Sequence, residues 1–96
     1  MENLESIKHK LKLLKPILVQ KYHVNTIGLF GSILRNDFNE NSDVDIIVDF
    51  NAPIGHEFID LADFIETQLN TQVDLVSKKG VKEKYFKSIQ SDIQYV

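Results

Sequence analysis

The sequence predicts a single α+β domain over residues 1–96, a small three-stranded mixed sheet covered by helices. Three observations predict it. Apolar residues recur at helical spacing in separate stretches. Between those stretches lie short runs with the alternation or apolar density of strands. The resulting order is α-β-α-β-α-β-α, and no repeat, low-complexity segment or linker divides it. Ninety-six residues suit one compact domain. Such a domain buries only about 60–65% of its unfolded surface, so nearly every apolar stripe must serve the core.

Leu4, Ile7, Leu11, Leu14 and Leu18 form the first stripe. Pro16 falls inside it, lacks a backbone donor and biases Lys15 away from helix. A break or kink near Lys15 is therefore expected, with a second short helix from Pro16 to about Tyr22. Residues 26–30 read as a buried strand ending at Gly31 and Ser32, with Ser32 placed to cap a short helix over residues 33–36. Residues 37–42 are a polar loop. Residues 43–50 alternate, with Val44, Ile46, Val48 and Phe50 on one face and Asp43, Asp45, Ile47 and Asp49 on the other. After a turn at 51–55, Phe58, Leu61, Ala62, Ile65 and Leu69 give a second amphipathic helix. Residues 72–76 make a short strand carrying Asp74. A turn at 78–80 leads to a lysine-rich helix with Val81, Tyr85, Phe86 and Ile89 inward, and residues 93–96 can add an edge segment.

Charge is unevenly spread. Residues 36–77 hold ten acids and no lysine or arginine, while all eleven cations lie outside that stretch. Solvated helix faces account for Glu57, Asp60, Asp63 and Glu66. They account poorly for Asp43, Asp45 and Asp74, which sit inside strand-like apolar runs. No basic stripe is interleaved with aromatics, which disfavours extended nucleic-acid binding. The chain has no cysteine, which excludes disulfides and thiolate metal sites. Residues 1–14 lack the apolar run of a signal peptide, and no stretch could span a membrane. A cytoplasmic protein without membrane contact is the expectation.

Asp43 and Asp45 carry the chemistry. Two residues apart on a strand, their carboxylates project from one face. At about 4 Å two such charges repel by ~4 kcal/mol at an effective dielectric of 20. A stable site then needs a cation, or a raised pKa on one acid. Hard oxygen donors without nearby His or Cys favour Mg2+ or Mn2+. A D-x-D pair alone is equally an edge with two solvated acids, so its context matters. Gly31 allows close backbone approach to a phosphate, and Ser32 with the following N–H groups can donate to phosphate oxygens. Asp74, on another strand, can reach the same cluster if it faces the same way. Arg35 can contact phosphate or pair with Asp37 or Asp43; Ser42 can cap the loop or touch the nucleotide. Acids and amides alternating over residues 37–45 resemble a calcium loop, but Ser42 and Val48 stand where that loop needs Gly and Glu. No P-loop motif is present.

Gly31 and Ser32, ten residues, then Asp43-Val44-Asp45: this spacing resembles the signature of the nucleotidyltransferase superfamily that includes polymerase beta. With IGLFGS, SDVDIIVDF and the later strand aspartate, the chain is similar to the MNT-type minimal members, most firmly over residues 27–50. The resemblance implies a nucleotidyltransferase-like fold using ATP and two Mg2+ ions, with Mn2+ as a substitute. Gly31 and Ser32 would grip the triphosphate, joined by Arg35 and Ser42, and Asp43 and Asp45 would be catalytic metal ligands. Asp74 would complete the catalytic set as third ligand or general base. Asn36 departs from the glycine that usually follows the arginine. The resemblance further implies an antitoxin paired with a helical HEPN-type toxin, in a hetero-oligomer, with self-association also open. Such members transfer AMP to a tyrosine of the partner, or neutralise it as a catalytically silent masking module.

Overall fold

The structure, a computed structural model, describes residues 3–35, 38–39 and 41–96. Readings that involve Asn36 or Asp37, including an ion pair between Arg35 and Asp37, lie outside the described residues.

Helix α1 spans Leu4–Tyr22. Asn3 starts it, its Oδ1 accepting from the Ser6 N–H at 2.9 Å, which satisfies one of the free donors of the first turn. His23, in the left-handed region with φ 59°, ends it. The expected break at Pro16 does not occur, and one helix runs through. Ile7, Leu11, Leu18 and Tyr22 keep a single buried face on both sides of the proline. Lys12, whose carbonyl loses its partner to Pro16, is exposed and open to water. An interior proline costs about 3 kcal/mol. Burying Leu18 and Tyr22 returns about 1.5–3 kcal/mol each, so packing outweighs the break.

Strand β1, Val24–Phe30, follows at once and leads into a 3-10 turn at Gly31–Leu34. Ser32 lies within this turn and makes no side-chain cap, contrary to the expected capped helix. Strand β2 spans Val44–Phe50, helix α2 Glu57–Leu69, strand β3 Val73–Ser77, helix α3 Glu83–Ile89 and strand β4 Gln94–Tyr95. The sheet is mixed as expected but has four strands, in the order β3-β2-β1-β4. Strand β1 is antiparallel to β2 and β4, and β2 is parallel to β3 through the α2 crossover. The added strand is two residues long, too short for any periodicity to announce it. Gly28 makes room for it, because a Cβ there would press on the side chains of Ile93 and Tyr95. The Val96 N–H donates to the Ile27 carbonyl at 2.9 Å and extends the pairing.

The two faces of the sheet differ. Ile27, Leu29, Val44, Ile46 and Val48 pack under α1 and α2 with Ile7, Leu11, Leu18, Leu61, Ile65 and Leu69 in one buried core. On the other face, among the described residues, only Gly28, Phe30 and Ile47 are buried. Helix α3 contributes no buried residue, and Tyr85, expected inward, is 48% exposed. A seven-residue helix lying over the thinner face cannot enclose a ring of that size. Among the described residues no helix is long and apolar enough to cross a membrane.

Candidate active site

Strand register gathers the aspartates. Phe30 of β1 is opposite Asp45 of β2, and Asp45 is opposite Asp74 of β3. Partners in register share a face, so Phe30, Asp45 and Asp74 form one row across three strands. Asp43 stands two residues before Asp45, at the lip of the same face. Leu29, Ile46 and Leu75 make the neighbouring row and point into the core. Asp45 thus lies between the buried Val44 and Ile46, and Asp74 between the partly buried Val73 and Leu75, yet both face away from them.

The row is electrostatically loaded. Burial, then the nearby charge of Asp74 and that of Asp43, push the Asp45 carboxyl up to about 6, with the Ser32 backbone N–H pulling the other way. A hydrogen bond to Asp74 adds to the rise, because it favours the protonated Asp45 carboxyl as donor. Of the two remedies for crowded acids, the protein by itself uses the raised pKa. Among the described residues the groups that shift the Asp45 carboxyl include no lysine or arginine. Nor do three His, Cys, Asp or Glu groups close into a ready-made metal cage. Asp43 and Asp74 are exposed and Asp45 half-buried, so the site opens onto a surface.

Gly31 and Ser32 abut this row. Gly31 has φ 78°, a region that favours glycine, and a Cβ there would run into Asp45 Oδ2. Besides any phosphate, Gly31 has the Asp45 carboxylate as its close neighbour. Arg35 is exposed directly after the turn, its N–H donating to the Ser32 carbonyl at 2.9 Å. Ser42 closes the loop: its Oγ accepts from the Asn39 N–H at 3.3 Å, and its own N–H donates to the Asn39 carbonyl at 2.9 Å. Its hydroxyl proton is left to donate elsewhere. Asp49 shares the face but lies four residues along from Asp45, beside Lys78 and Lys79. His9, His23 and His56 are exposed, and His56 begins α2 as expected.

A concavity of about 490 Å3 lies at the opposite ends of β2 and β3, lined by Phe50, Pro53, Ile54, Phe58, Ser77 and Lys79 among others. It holds no carboxylate, so the chemistry belongs to the open row rather than to the deeper hollow.

This arrangement defines a class, the nucleotidyltransferase fold. A solved structure provisionally named a minimal nucleotidyltransferase superposes with a TM-score of 0.84 at 21% identity, covering 97% of this chain and 95% of that one. The MNT antitoxin complex with the tri-AMPylated HEPN toxin of Shewanella oneidensis contains a match with a TM-score of 0.65 at 21% identity, covering 92% and 68%. Residues 11–95 match the nucleotidyltransferase domain family, and the chain belongs to that family. Among its relatives, the protein adenylyltransferase MntA of Thermococcus cleftensis is 39% identical over 97 residues, covering 100% of this chain and 98% of that protein. A Methanocaldococcus jannaschii protein provisionally named a protein adenylyltransferase is 42% identical over 100 residues, with full coverage of both.

Proposed function

We propose that the chain is an Mg2+-dependent adenylyltransferase that moves AMP from ATP to a tyrosine hydroxyl of a HEPN-type toxin, and so acts as its antitoxin. The observation that carries this reading is the row of Asp45 and Asp74 with Asp43 at its lip, beside the turn at Gly31 and Ser32. Relatives named as protein adenylyltransferases support it, as does the likeness to an antitoxin bound to an AMP-bearing HEPN toxin.

The donor set suits a hard divalent cation, being all oxygen. A carboxyl raised first by burial and then by two neighbouring acids is shifted back towards its ionised form when a cation arrives. Asp43, Asp45 and Asp74 would hold the metal, which when bound neutralises charge on the triphosphate. Ser32 and Arg35 would grip the phosphates, and Ser42 can donate its hydroxyl. In the reaction the tyrosine oxygen attacks the α-phosphorus. The bond from that phosphorus to the bridging oxygen breaks, and pyrophosphate leaves with its electrons. The phenolic proton passes to solvent or to Asp74, which serves as third ligand or base. An open site with two exposed acids takes its acceptor from another chain.

The test is intact-mass measurement of a HEPN-type protein encoded beside this one, after incubation with this chain, ATP and Mg2+. Additions of AMP are expected on the partner, and they should vanish with Asp43→Asn while the complex persists. Association without any addition would replace the enzyme by a masking module. An unchanged Mg2+ affinity in the Asp43→Asn, Asp45→Asn double variant, by calorimetry, would remove the metal site.

A further inference from the structure

We infer that Tyr85 is the base platform of the nucleotide site, its ring held beside the carboxylate row by Phe30 and stacking the base of the bound nucleoside triphosphate. The inference rests on the nucleotidyltransferase reading above and adds to it the group that holds the base.

The row across the sheet does not end at Asp45. Its third member is Phe30, paired with Asp45 across the strands and immediately before Gly31. Adjacent strands lie about 4.8 Å apart, so Phe30 stands one strand spacing from the Asp45 carboxyl. Tyr85 contacts Phe30 with ring centroids 6.5 Å apart and an interplanar angle of 77°, within the favoured edge-to-face range. The pair therefore walls the carboxylates on the β1 side, where the turn at Gly31 and Ser32 also lies.

The two rings are unequal. Phe30 is 3% exposed and Tyr85 is 48% exposed. Phe30 is the fixed floor, and Tyr85 presents aromatic surface to solvent from a defined position. Core building does not explain α3, since none of its residues is buried. The other aromatic pairs lie elsewhere: Tyr22 with Phe64 joins α1 to α2, and Phe50 with Phe58 lies at the far end of β2. An exposed ring already held in place loses little freedom when a base stacks on it. Phosphates at the Gly31 turn would leave the nucleoside free to lie along the aromatic wall.

The test compares ATP with inorganic tripolyphosphate, which has the phosphates but no base. Binding of a non-hydrolysable ATP analogue and of tripolyphosphate is measured with Mg2+ for wild type, Tyr85→Ala and Tyr85→Phe, alongside thermal melts. Base stacking predicts a loss of about tenfold in analogue affinity for Tyr85→Ala, with tripolyphosphate affinity unchanged. Tyr85→Phe should stay within about twofold of wild type, since the ring suffices. The chain has three tyrosines and no tryptophan, so quenching of tyrosine emission by the analogue should also shrink in Tyr85→Ala. Equal loss of both ligands, or loss of neither, would overturn the platform. A wild type that binds neither ligand would bring down the nucleotidyltransferase reading itself, a separate outcome.

Discussion

The two faces of β2 divide the labour of the molecule. Val44, Ile46 and Val48 are fully buried and tie the strand to α1 and α2. Asp43, Asp45 and Asp49 alternate with them and face a thin layer whose buried side chains, among the described residues, are Phe30 and Ile47. A period of two lets one strand anchor the fold and display acids without compromise. The lesson is that substitutions one residue apart should separate stability from activity almost completely.

The largest contrast is expected at Asp45 and Ile46. Asp45→Asn should lower adenylyl transfer by about a thousandfold, a loss of ~4 kcal/mol in transition-state stabilisation, while the metal-free protein melts no lower than wild type. Its amide can still accept from Ser32 and donate to Asp74, without the repulsion. Ile46→Ala should do the reverse, costing about 2–5 kcal/mol of stability and lowering the melting temperature by roughly 10–30 °C, with turnover per folded molecule nearly kept. Paired melts and rates check this. A large loss of folding in Asp45→Asn would erase the distinction between faces.

Gly31 sharpens the comparison, because it links the turn to the acidic face. Gly31→Ala imposes a left-handed φ on a residue with a Cβ, costing about 1 kcal/mol, and presses on Asp45. Nucleotide affinity should fall more than stability does. In a double-mutant cycle, Gly31→Ala with Asp45→Ala should cost less than the sum of the singles, since the second change removes the obstacle. Strict additivity in denaturant unfolding would mean the methyl group and the carboxylate do not meet.

The smallest effect concerns pH. Asp45 titrates near 6 in the folded protein against 3.8 for a free aspartate. Between those values the folded state holds more protons than the unfolded state, so this group's contribution to stability falls as pH rises through the window. Solvent around the half-exposed site screens the effect to less than about 1 kcal/mol. Other acids titrate nearby, so the quantity to follow is wild type minus Asp45→Asn. That difference should decline from pH 4 to 6 and then level off. A rising difference would reverse the assignment.

Much of this was legible in the residues. The stripe of Ile7, Leu11 and Leu18, the alternation through β2, and the spacing of Gly31 and Ser32 to the Asp pair are local patterns. Each is written within one element or between neighbours. That two of the acids share a face needs only the geometry of a strand, and that crowded acids require a cation or a raised pKa needs only Coulomb's law. Tertiary structure decided the rest. Whether Asp74 joins Asp45 depends on the register of a parallel pair separated by a helix. The raised pKa of Asp45 depends first on its burial. Pro16 stays helical because both halves of α1 press on one core. Strand β4 exists because Gly28 leaves space beside β1, and Tyr85 stands half-exposed because Phe30 catches its ring. Periodicity describes how a segment distributes its side chains, whereas register, depth and ring contact arise between segments distant in the chain, where no local pattern records them.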